Sequence, residues 1–261
     1  MTLNPLALTL LFSASALSGV AAAQPAYRMD SYLLLNGKTQ PAFAWCDAPD
    51  RVLALTNPAT QPATPQPVTL ARWLKRAPNK VQTGAYRLGP GEGAAGTIFV
   101  GLNPASRPDS SANENGGNVR LSNVQNVNDP AYRMSAVGGF KTPYEDVRCR
   151  YIPDAAFVGA TAKRTVIIWA NGGKVTYATR NFDGTPGVTI SGGTPINFGS
   201  ESGWGYEFQT PDGFGYSVAR GDFSANPQMT LNVIKGGKVI QTEPFLAYSI
   251  STPLSNSAQP K

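Results

Sequence analysis

The chain has 261 residues, with 22 Lys and Arg against 16 Asp and Glu for a net charge of +6, and no histidine. Histidine is the usual general base near neutral pH and the commonest metal ligand, so its absence argues against Ser-His-Asp hydrolysis, zinc hydrolysis and copper redox chemistry. At 41% hydrophobic and 15% charged residues the chain is rich enough to bury a core, while 27 Gly and 22 Pro divide it into short segments, the profile of an all-β protein.

In chain order, residues 6–20 are apolar and small and lead into Ala21, Ala22 and Ala23 before Gln24 and Pro25. This is the hydrophobic region and small-residue cleavage site of a signal peptide over residues 1–23, too short and too diluted by Ser, Thr and Gly for a membrane span. Removing it predicts an exported protein of the periplasm, envelope or medium that is not integral to a membrane. Nucleic acid is then not an expected partner.

Residues 24–146 read as an irregular β-containing region. Two apolar runs within 27–56 predict strands, and the uncharged, proline-rich stretch 57–67 predicts an extended loop. Next, Leu70, Trp73 and Leu74 stand at i, i+3 and i+4 with Arg72, Lys75 and Arg76 on the other face, which predicts one short helix ended by Pro78. The glycines of 89–96 precede a β-type run instead of opening a helix, so they do not form a nucleotide-binding loop. The acids within 107–118 match no calcium loop.

Over residues 147–251 apolar and polar residues alternate between turn sequences such as NGGK, TPDG and KGGK. Gly-Gly and Asp-Gly accept the positive φ that tight hairpins need, so this half predicts an antiparallel meander forming a small barrel or sandwich. Residues 252–261 predict a flexible tail. Cys46 and Cys149 are the only cysteines. In an oxidising compartment such a pair predicts a disulfide.

Asp183, Glu201, Glu207, Asp212 and Asp222 are candidates for a carboxylate pair that would hydrolyse glycans without histidine, although Asp183 and Asp212 precede glycines as turn residues do. Trp204, Tyr206, Phe208, Phe214 and Tyr216 alternate on two successive strands and predict an aromatic ladder, either barrel core or a face for stacking on a sugar.

Ser200-Glu201-Ser202-Gly203-Trp204-Gly205-Tyr206 resembles the S-x-S-G-x-x-Y motif of the membrane-bound and periplasmic bacterial inhibitors of c-type lysozyme. Arg220-Gly221-Asp222 is similar to that family's Lys-Gly-Asp, with arginine in place of lysine. The resemblance covers residues 147–251 and implies a small β-barrel in which Ser202 and Arg220 reach the catalytic carboxylates of a lysozyme. The leading expectation from the residues themselves is a non-enzymatic envelope protein that binds a protein, glycan or lipid partner and uses no cofactor or metal. Its candidate binding residues are Ser202, Trp204, Tyr206, Tyr216 and Arg220. A lysozyme-inhibitor-like module is the alternative, and a carboxylate-dependent glycan hydrolase the second alternative.

Overall fold

A computed structural model describes residues 27–60, 65–106, 116–122, 137–152, 154–196, 205–220 and 228–253. The segment 1–23 lies outside these residues. Eighteen strands follow one another: β1 (Tyr27–Leu35), β2 (Lys38–Asp47), β3 (Arg51–Thr56), β4 (Gln66–Leu74), β5 (Ala77–Ala94), β6 (Thr97–Pro104), β7 (Gly117–Ser122), β8 (Val137–Thr142), β9 (Glu145–Arg148), β10 (Phe157–Thr161), β11 (Arg164–Asn171), β12 (Lys174–Asn181), β13 (Thr189–Ser191), β14 (Thr194–Pro195), β15 (Gly205–Gln209), β16 (Phe214–Arg220), β17 (Met229–Lys235) and β18 (Lys238–Pro253).

Every pairing is antiparallel, and together the strands make one continuous open sheet. Turn chemistry sets the register. Asn36-Gly37, Gly172-Gly173 and Gly236-Gly237 each close a two-residue hairpin with φ between 53° and 76°. Two successive positive φ values define the type I′ turn, whose twist matches that of the strands it joins.

The sheet folds as two successive runs. In the first, β1 to β9 pair each with the next. This replaces the expected irregular region with a regular meander, and β9, which carries Val147, pairs with β8 and continues this run. The second run comprises β10 to β18. Its last strand pairs with β17 as far as Pro244, and past that residue lies between β10 and β1, so β18 joins the two runs. The ladders of the second run go from β13 through β12, β11, β10, β18, β17, β16 and β15 to β14, an open sheet and not a clear barrel. Thr252 and Pro253, expected in a tail, pair with Arg28 and Tyr27.

The expected helix is absent; residues 66–94 are β4 and β5, joined at Lys75-Arg76. Alternate residues of β4 enter different cores: Val68 and Leu70 face the interior of the first run, whereas Ala71 and Trp73 face a second apolar layer. A strand buried on both faces loses its polar alternation, and the apolar residues that remain can fall at helical spacing. β3 behaves alike, with Leu53 and Leu55 on one side and Val52 and Ala54 on the other.

The shared layer lies between the runs. Trp45, Val52, Ala54 and Trp73 of the first meet Val158, Ala160, Ile167 and Leu246 of the second. Beyond it, Phe157, Ile168, Tyr177, Phe208 and Phe245 fill the core of the second run. Each large side chain taken out of water contributes about 1.5–3 kcal/mol before the entropy cost of ordering it. The indole Nε1 of Trp45 donates to Ser249 Oγ at 2.7 Å, which satisfies a buried donor and ties β2 to β18.

Candidate functional site

Ser202, Trp204, Glu201 and Asp222 lie outside the described residues. Tyr206 on β15 stands opposite Val218 of β16, and Phe208 opposite Tyr216. Their rings turn toward the second core: Tyr177 lies 5.0 Å from Phe208 and 5.2 Å from Tyr216 between centroids, and Tyr206 lies 6.4 Å from Phe208. Tyr216 is buried, and burial pushes its phenol upward from its ordinary value. On its described strands the ladder is core packing. Arg220 is the last residue of β16 and is half-buried.

The candidate acids are not brought together as a pair in the described contacts. Asp183 accepts from the backbone N of Thr185 at 2.9 Å and from Thr185 Oγ1 at 2.6 Å, and these bonds hold its carboxyl below the usual carboxylate range. Asp212 accepts from Thr210 Oγ1 within its own turn. Both side chains close the loops that contain them.

The structure does assemble a site the sequence left unread, at the seam between the runs. Asp47 ends β2, and its side chain is 2% exposed. Lys75, in the β4–β5 turn, donates its ammonium to Asp47 Oδ1 and to the carbonyl of Ala48, with its own side chain only 5% exposed. Thr165 of β11 donates Oγ1 to Asp47 Oδ2 at 2.9 Å. Two guanidinium groups approach that same oxygen, Arg150 NH1 at 3.6 Å and Arg180 NH1 at 3.5 Å. Arg150 also donates its backbone N to the Asp47 carbonyl at 2.9 Å.

Desolvation pushes the Lys75 ammonium below its ordinary value, while the Asp47 carboxylate opposes the shift. The ammonium lies 4.4 Å from the ring centroid of Phe182, a cation–π contact from the second run. A small cavity opens beside the cluster, lined among others by Trp45, Cys46, Asp47, Cys149, Arg150 and Val158. The disulfide borders it. Cys46 and Cys149 are bonded with Cα atoms 5.2 Å apart, and they link β2 to the chain just past β9.

Asp47 is enclosed by its donors, so the arrangement presents cationic surface at its rim and no accessible carboxylate base. Among the described residues no group of three or more His, Cys, Asp or Glu could hold a metal. No helix among them is long and apolar enough to cross a membrane. A second buried acid, Glu243, accepts from Thr161 Oγ1 at 2.6 Å and pairs with Arg164 at 2.9 Å. No protein-family model, curated protein or solved structure matches this chain, so what it does is read from its own residues.

Proposed function

We propose that this is an exported, non-enzymatic protein of the cell envelope, a disulfide-closed β-scaffold that binds an anionic partner. The observation that carries the reading is the Cys46–Cys149 bond, which links β2 to the segment just past β9. Such a bond persists in an oxidising compartment and is rare where thiols are kept reduced. The apolar leader over residues 1–23 and the net charge of +6 agree with that address and with an anionic glycan or lipid as partner.

Cross-linking in intact cells, followed by purification from solubilised envelope, tests it. Recovery of one stoichiometric envelope component is expected; a free monomer in the cytosolic fraction would overturn the reading.

One observation favours the lysozyme-inhibitor-like module as a second reading. Gly205 and Tyr206, the described end of the Ser200–Tyr206 motif, stand opposite Ala219 and Val218, so that end of the motif lies beside the strand that finishes at Arg220. That proximity is what a two-motif inhibitor requires. Titration of the mature protein into a c-type lysozyme assay is the test: loss of turnover that disappears with Arg220→Ala supports the module, and full turnover at micromolar protein removes it.

A further inference from the structure

The charges at the seam do not balance. Around the single carboxylate of Asp47 stand three cations, Lys75, Arg150 and Arg180. Asp50, three residues past Asp47, is hydrogen-bonded to Arg51. Lys75 takes Oδ1, and Thr165 already donates to Oδ2, the oxygen that both guanidinium groups approach. A guanidinium has five donors in a planar fork. Among the described residues, the side-chain acceptor these two arginines approach is one shared oxygen at 3.5–3.6 Å, a loose and mutually repulsive arrangement.

Exposure follows a gradient. Asp47 and Lys75 are closed off at 2% and 5%, whereas Arg150 and Arg180 are 29% and 45% exposed, so the surplus positive charge sits at the rim where a ligand can reach it. The arginines come from different elements, Arg150 from the segment after β9 and Arg180 from β12 opposite Thr165. Asp47 and Thr165 fix where they converge. A tetrahedral oxyanion fits two convergent forks better than a carboxylate does, since the two coplanar oxygens of a carboxylate serve one bidentate fork, whereas the additional, non-coplanar oxygens of a phosphoryl group can serve a second.

We propose that Arg150 and Arg180, oriented by Asp47, form a phosphoryl-binding site at the seam between the two strand runs. The ligand is a phosphate monoester, a free phosphate or the phosphodiester of an anionic lipid head group. Its placement in the envelope rests on the exported reading above, but the site itself does not.

The experiment uses the mature, disulfide-intact protein. Inorganic phosphate is titrated against chloride at matched ionic strength, with binding read by calorimetry and by phosphate-dependent rise in the melting temperature. In parallel, flotation is measured with phosphatidylglycerol and with phosphatidylcholine vesicles. Arg180→Gln, at the half-exposed position, removes one fork without disturbing the buried Asp47–Lys75 pair, and Arg180→Lys keeps the charge but not the fork.

Phosphate binding that weakens by about tenfold or more in Arg180→Gln, and is only partly restored in Arg180→Lys, supports the site. Phosphatidylglycerol flotation lost in the same variant, without free phosphate binding, supports it with lipid as the source. Absence of both in the native protein overturns it, as does binding that Arg180→Gln leaves unchanged. A site confirmed in vitro alongside a cytosolic location would overturn the envelope reading alone.

Discussion

Asp47 holds together residues that are far apart in sequence: Lys75, Arg150, Thr165 and Arg180 all approach its carboxylate. Removing one partner of a buried ion pair costs more than the pair itself contributes, because the other charge is left desolvated. Asp47→Asn should therefore destabilise the fold by about 3–5 kcal/mol in urea unfolding. Lys75→Met, which removes the buried ammonium and keeps the apolar stem, should cost less. Equal losses would show that the cluster does not depend on the carboxylate.

The buried phenols give a prediction with a definite sign. Burial pushes Tyr177 and Tyr248 well above the ordinary tyrosine value of 10.0. A group that holds its proton more tightly when folded stabilises the protein below its unfolded pKa, and that contribution is lost as pH rises through and beyond it. Absorbance at the phenolate band should thus show these two tyrosines ionising only together with alkaline unfolding. Their ionisation in a still-folded protein would contradict the packing. None of this was legible in the sequence, where Lys75 reads as part of the basic face of a helix and Asp47 falls within an apolar run that predicts a strand. Each acquires its role from partners that only the fold brings close.

Among the elements, those whose ends carry their own chemistry were the legible ones. Lys235-Gly236-Gly237-Lys238 turns where the residues require it, with φ of 56° and 76° at the two glycines. Ala at either glycine should cost about 1–2 kcal/mol, since an L side chain is strained at positive φ. Thermal unfolding of Gly236→Ala and Gly237→Ala measures this, and no shift in either would show that the turn is not of this type. β4 was not legible for the opposite reason. Its even and odd residues both meet apolar layers, so the period-2 pattern that marks a strand is masked. The aromatic ladder on β15 and β16 had the right spacing, but spacing does not say whether a face turns inward; Tyr177 of β12 covers it.

For the whole molecule, composition carried the all-β class and the cysteine count carried the disulfide, whereas the packing of two runs around a shared apolar layer came from long-range pairing. β18 and the disulfide perform related tasks: β18 pairs with strands of both runs, and the Cys46–Cys149 bond closes the first. The bonded cysteines are 103 residues apart. In the chain-entropy account, closing a loop of that size stabilises by about 4–5 kcal/mol, an upper figure when the reduced chain retains structure. The Cys46→Ala/Cys149→Ala protein should accordingly unfold at much lower denaturant with a similar m-value. An unchanged midpoint would remove the disulfide from the stability of the fold.

Non-reducing peptide mapping of protein taken from its native cells after immediate alkylation decides whether the protein is exported and disulfide-closed. A mature amino terminus at Gln24 and one cross-linked pair of peptides containing Cys46 and Cys149 are expected. A chain that retains residues 1–23 and carries alkyl groups on both cysteines would contradict it.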